Sequence, residues 1–346
     1  MQVARIRAIE SRLLRQEEVE RMLYAKNAQD AFKILNDLDW AEFLAEIKKV
    51  EDFPLLIDAG LLEVKKTICE MLDNENDFDF LWLLFDLENA CLLTKAFLKN
   101  EDPENLREVL SPLGCLSKGK IKQIIFEKKE IEGFSWLIEK VEQIKKEFKK
   151  KENPEIIDFL LQEEFFARIL AKVKKTYSSM MISFFERMID IENLKAFLRR
   201  KEKEFLSGGK ISLEILSSAK DLNELLEKID EHKIMSLIEA QEGKNDFIDI
   251  LKVKEELIQI LQMLQEETAC KTGINFLKIE KELDEFLFST LNPSILEPFN
   301  IEPIFAFFWI KKRNAEIIRT ILVGKLNGIE EKEIRKWIKK PALKLF

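Results

Sequence analysis

Two distant stretches of the chain repeat one another. Phe85–Lys99 reads FDLENACLLTKAFLK, and Met188–Lys201 reads MIDIENLKAFLRRK. Such an echo constrains the fold strongly, because a repeated unit packs against its own copies to bury its apolar face. With Asn89 set on Asn193, Phe85 falls on Ile189, Leu92 on Ala196 and Leu93 on Phe197. A third copy, FWIKKRNAEIIRTIL at Phe308–Leu322, places Asn314 at the Asn position and replaces the two acids by Lys311 and Arg313. A second kind of segment recurs in the same order. Leu13–Leu35 matches Cys115–Leu137 without a gap, with Phe32 on Phe134, Leu23 on Ile125 and Tyr24 on Phe126, and Ile211–Ile229 is a looser version. The order of the two segments divides the chain into three diverged units, 1–104, 105–206 and 207–346.

The units read as helical. Ile6, Ile9, Leu13 and Leu14 form one apolar stripe at helical spacing, and Phe159, Phe166, Leu170 and Val173 form another. Only 10 Gly and 8 Pro occur in 346 residues, too few for the turns of an all-β fold. Leu, Ile, Lys, Glu and Phe outnumber Val and Thr, which favours helix by propensity. Breaks are expected at Asn100–Asn105, Ser111–Lys120, Asn153–Pro154, Ser207–Lys210 and Leu291–Pro303. The chain is too long for one ordinary helical core, so an all-α fold of two or three domains follows.

Chemistry is harder to find. On a helix Asp190 and Asn193 share a face, but Glu192 lies roughly 200° round from Asp190, so the three cannot close on one ion. The same holds for Asp86, Glu88 and Asn89. The third copy keeps the Asn and drops both acids, which fits a hydrogen-bonding Asn at a packing position better than catalysis. Glu192 and Lys195 are spaced to pair in solvent. The single His, His232, lies in the polar run KIDEHKIM and reads as a surface residue. Cys69 and Cys91 sit among apolar residues and read as buried thiols; with Cys115 and Cys270 they make no CxxC pair, a pattern suited to a reducing compartment. Gly208–Lys210 resembles the end of a phosphate loop but lacks the earlier Gly and a preceding strand. HExxH, GxGxxG and GxSxG are absent. No catalytic, cofactor-binding or metal-ligating residue is assigned, and no cofactor is expected.

A net charge of −8 disfavours general nucleic-acid binding. Ser117–Lys151 departs from the average with eleven Lys against six Glu. It reads as a solvated helix face, the other reading being contact with an acidic partner or a membrane surface. The opening residues are charged throughout, so no signal peptide is expected. The most apolar stretch, Ile301–Ile310, is too short to span a bilayer and contains Glu302 and Pro303.

The ends of the chain carry a resemblance. ARIRAIESRLL at Ala4–Leu14, with Arg5, Arg7, Glu10 and Arg12, resembles the opening of the C subunit of the archaeal and bacterial V/A-type rotary ATPases, the family of the eukaryotic V-ATPase d subunit. LLRQEEVERML continues it, the DLEN and DIENLKAFLR segments resemble its recurring helix motif, and EIIRTILVGKLNGIEEKEIRKWI at Glu316–Ile338 is similar to its C-terminal signature, including Arg319, Gly324, Lys325, Gly328, Ile334 and Arg335. The family tends to carry an acid near the position of Asn314, whereas here Glu316 lies two residues on. The resemblance implies a pseudo-threefold, all-helical funnel on the cytoplasmic end of a membrane rotor ring, acting as a socket for the central shaft subunits. It implies a non-catalytic part that transmits torque for proton or sodium transport, peripheral to the membrane. The residues alone also admit a helical-repeat scaffold or adaptor unrelated to rotary ATPases, and a helical enzyme that works with carboxylates such as Asp86, Glu88, Asp190 and Glu192.

Overall fold

The computed structural model describes residues 13–38, 40–44, 47, 49–72, 75–151, 154–206, 276–291, 301–339 and 341. Every regular element among them is helical: α1 (Gln16–Tyr24), α2 (Ala28–Lys33), α3 (Phe53–Met71), α4 (Asp79–Lys99), α5 (Lys118–Glu127), α6 (Ser135–Lys151), α7 (Glu155–Val173), α8 (Ser179–Leu206), α9 (Phe276–Ser289), α10 (Glu302–Leu326) and α11 (Glu331–Trp337), with a single helical turn at Ala41–Leu44 and short 3-10 turns between. The all-α class is therefore correct. The matched segments Leu13–Leu35 and Cys115–Leu137 place the first residues of α1 and α5 in register, Gln16 on Lys118.

Local chemistry sets the helix ends. The Glu18 carboxylate accepts from the Arg15 backbone N–H at 3.0 Å, satisfying a donor that the first turn of α1 would leave open. Asn27 caps α2 by accepting from the Asp30 N–H at 2.8 Å. Helix α4 stops at Asn100, which takes a left-handed φ of 56°. Ser117 caps α5, so the expected break at Ser111–Lys120 closes three residues early, at the start of this helix. Pro303, expected in irregular chain, lies in the first turn of α10. A missing N–H costs nothing there, because first-turn N–H groups have no helical partner.

The chain divides into two compact units, Met1–Ser183 with Pro293–Phe346, and Phe184–Asn292. In the first, most residues of α4 and α10 are buried, and both helices lie in the core. They meet through aromatic rings: Trp82 on Phe308 at 5.4 Å, Phe85 on Phe308 at 6.3 Å and Phe80 on Phe305 at 6.3 Å. Helix α3 packs on α10, and Gly60 lets Trp40 approach so closely that a Cβ there would lie 2.2 Å from the indole. Helices α5 and α7 pack on α4, and α6 packs on both. Leu137, Val141 and Ile144 form the buried stripe of α6. Several lysines of this Lys-rich region pair with the chain's own acids: Lys122 with Glu104, Lys128 with Glu142 and Lys140 with Glu163.

In the second unit, Phe184, Phe185, Met188 and Ile191 of α8 are buried, as are Leu283, Phe286 and Leu287 of α9. Lys195 bonds Glu192 at 3.1 Å and Asp284 at 2.9 Å. The expectation of a solvent pair is corrected here. Lys195 is 9% exposed, because the Asp284 carboxylate on α9 compensates its ammonium and allows it inside. Cys69 and Cys91 are half-buried rather than buried, since both lie at the edges of their helices' apolar faces. His232, Cys270, Ser207–Lys210 and Ile211–Ile229 lie outside the described residues.

Candidate functional site

The echoed helices carry the polar groups that the repeat singles out. On α4, Asp86 and Asn89 are fully buried and Glu88 faces solvent, as the helical spacing requires. The Asn89 amide donates to the Ser111 carbonyl at 2.9 Å and accepts from the Ser111 N–H at 2.8 Å. The Asp86 carboxylate accepts from the N–H groups of Cys115 at 2.7 Å and Leu116 at 3.2 Å. Burial lifts its pKa to about 6 against the pull of those donors. The ammonium of Lys65 donates to the carbonyls of Leu113 and Gly114 at 2.9 and 2.7 Å and lies over the Trp82 ring at 5.0 Å. A Cβ at Gly114 would stand 2.1 Å from Asp86 Oδ1, so this position accepts no side chain. These bonds all go to the backbone of one loop. The cluster latches the loop onto α4, and among the described residues no group of His, Cys, Asp or Glu is placed to hold a metal ion.

The third copy is built otherwise. Lys311 stands at the register of Asp86, buried beside the rings of Trp40 and Phe307 at 5.7 and 5.8 Å, and desolvation lowers its pKa to about 7. Asn314 is 1% exposed, yet neither amide atom has a hydrogen-bond partner among the described residues. The expected hydrogen-bonding role thus holds for Asn89 and finds no partner at Asn314 among the described residues. Extending the gapless match backward puts Ile9 opposite Ser111, and Ile9 lies outside the described residues. So do the side chains of Asp190 and Asn193 on α8.

The C-terminal signature binds the two ends of the chain together. Lys325 donates to the carbonyls of Leu23 and Ala25, at 2.8 and 2.5 Å, closing the C-terminal end of α1. Arg335 holds Glu20 through two bonds of 2.8 Å and also reaches Glu331 at 2.6 Å. Gly324 lets Ile334 lie against the helix, with 2.6 Å between that side chain and the place a Cβ would occupy. Gly328 makes the turn into α11 at a φ of +65°. Burial raises the pKa of Asp58 against the opposing pull of Lys118 and of the exposed Arg319. The described part of the N-terminal match is accordingly tied to the C-terminal match.

At the other end of α10, the starts of three long helices gather. Ser178, just before α8, donates to Glu302 of α10 at 2.8 Å. Lys172 of α7 pairs with Asp79 of α4 at 3.4 Å. A pit of about 450 Å³ lies between them, lined by Leu72, Asp77, Phe78, Lys172, Lys175, Thr176 and Ile301. Beside it stands Tyr177, 92% exposed. Neither pit nor Tyr177 is singled out by the sequence reading. The available signal was one of only two tyrosines, in a Lys-Lys-Thr-Tyr-Ser-Ser run between helices.

Among the described residues, a helical body whose echoed Asp86 and Asn89 hold a loop, and whose matched segments are bonded together, defines an all-α structural class. Similarity to known proteins specifies it further. The model of the ATP synthase (C/AC39) subunit family matches residues 2–337, and the chain belongs to that family. It is 22% identical to the C subunit of the A-type ATP synthase of Methanocaldococcus jannaschii over 349 residues, covering 96% of this chain and 84% of the relative. The C subunit of the Archaeoglobus fulgidus A-type ATP synthase is 21% identical, covering 96% of this chain and 94% of the relative. That of Pyrococcus horikoshii is 22% identical, covering 95% and 86%. The family is that of an ATP synthase subunit, and each of these three relatives is the C subunit of an A-type ATP synthase. No helix among the described residues is long and apolar enough to cross a membrane.

Proposed function

We propose that this subunit is the non-catalytic socket of the central stalk, seated on the membrane rotor ring at the cytoplasmic face and receiving the central shaft subunits. It passes torque between the soluble head and the ion path, which carries protons or sodium. The observation that carries the reading is the family match running over 2–337. The packing supports it. A torque coupler must resist deformation, and interlocked aromatic rings between α4 and α10, with chain ends held by Lys325 and Arg335, give a stiff body. We further propose the division into units 1–104, 105–206 and 207–346 around a pseudo-threefold funnel. The coincident starts of α1 and α5 and the gathered starts of α4, α8 and α10 support it.

Reconstitution tests the function. The complex is assembled from its parts with and without this chain, and attachment of the soluble head and ion-coupled ATP hydrolysis are measured. Omission is expected to leave the head detached and hydrolysis uncoupled. Normal attachment and full coupling without the chain would end the proposal.

A further inference from the structure

Tyr177 is held in a conformation that an aromatic residue rarely adopts. Its φ of 56° lies in the left-handed region, where a Cβ is costly. Such a conformation persists when surrounding bonds enforce it, and those bonds are present. Thr176 Oγ1 donates to the Val173 carbonyl at 2.7 Å and accepts from the Ser178 N–H at 3.3 Å. Ser178 Oγ accepts from the Met181 N–H at 3.3 Å and donates to Glu302 at 2.8 Å, which ties the turn to the start of α10. The turn is therefore stiff, and what it presents is a bare phenol ring. The ring has no ring, cation or hydrogen-bond partner among the described residues. The other tyrosine, Tyr24, differs in having the Arg335 guanidinium 5.7 Å from its ring.

The surroundings define what fits. Lys174 and Lys175 flank the turn, exposed and without an acidic partner among the described residues. The pit opens beside them with Leu72, Phe78 and Ile301 in its lining. A Tyr on a fixed backbone next to a partly apolar pit is the geometry of an interface anchor, since the turn that presents it need not be ordered on binding. A lipid surface fits less well. Anionic headgroups are attracted by clusters of roughly four to eight basic residues, whereas here two unpaired lysines stand near the carboxylates of Asp77 and Asp79.

We propose that Tyr177, Lys174, Lys175 and the adjoining pit form a docking point for another subunit of the synthase. That subunit presents an apolar side chain to the pit and carboxylates to the two lysines. The proposal rests on the function proposed above, and its failure is separable from the failure of that function.

The test places the photoreactive residue p-benzoylphenylalanine at position 177 of the full chain in cells that assemble the complex. After irradiation the expected product is a cross-link to one synthase subunit, lost in Lys174→Glu/Lys175→Glu. Tyr177→Ser and Tyr177→Gly are expected to reduce co-purification of that subunit at least about tenfold. The thermal midpoint of the isolated chain should hold in Tyr177→Ser and rise in Tyr177→Gly, because glycine relieves the left-handed backbone. A tyrosine that only supported the fold would instead lower the midpoint in both. Cross-linking to lipid or to no protein, or undiminished co-purification in both variants, overturns the inference. If the unaltered chain co-purifies with no synthase subunit, the proposed function itself fails; if it does co-purify and position 177 reaches none, only the docking point fails.

Discussion

Asp86, Asn89 and Lys311 show how one helical register can be filled in opposite ways. Asn89 replaces a ladder of backbone bonds for the Ser111 loop, so Asn89→Ala should cost about 1–3 kcal/mol, measured by denaturant unfolding. Gly114→Ala should cost a similar ~1–3 kcal/mol, because the new methyl must displace Asp86 from the loop it holds. The two buried charges set a pH profile. Asp86 has a folded pKa raised to about 6 from an ordinary 3.8, so the folded state binds the proton more tightly than the unfolded chain between these values. Its contribution falls as pH rises through that window and is flat above it. Lys311 has a folded pKa lowered to about 7 from 10.5, so the unfolded chain binds more protons between 7 and 10.5 and stability rises with pH there. Together they predict a shallow minimum of the thermal midpoint between pH 6 and pH 7. Lys311→Met should remove the climb toward pH 10, measured as the thermal midpoint against pH.

At the scale of elements, the informative joint is α1 against α10 and α11. Lys325 is a cap supplied from the far end of the sequence. Lys325→Met keeps the stem and removes the donor, and should cost about 1–2 kcal/mol by leaving the last carbonyls of α1 unbonded. Arg335 and Glu20 form a bidentate but half-exposed pair. A double-mutant cycle with Arg335→Ala and Glu20→Ala should return a coupling of about 0.5–1 kcal/mol that shrinks in high salt. Hydrogen exchange should show α1 and α11 opening together in Lys325→Met, and independent opening would show that the cap does not join them.

For the whole molecule, the surface charge decides how the subunit leaves the complex. Charged residues make up 35% of the chain, and the described lysines of Ser117–Lys151 and basic residues of Arg319–Lys340 lie largely at the surface. If polar rims hold the chain to its neighbours, raising ionic strength without detergent should strip it from membranes. Retention through high salt and release by detergent alone would count against a peripheral seat.

The sequence by itself determined the class of structure and much of its local detail. Helical stripes followed from spacing. The opposite fates of Asp86 and Glu88 followed from 100° per residue. These are short-range consequences of backbone geometry, which neighbouring residues suffice to encode. Tertiary structure alone decided that Lys195 is buried against Asp284, that Lys325 caps α1, that among the described residues Asn314 lacks the bonds Asn89 makes, and that Tyr177 stands exposed beside a pit. Each depends on residues far apart in the chain being brought within a few ångströms, or on what packing leaves uncovered. No local pattern carries that information, because burial and pairing are properties of the assembled surfaces rather than of any one segment.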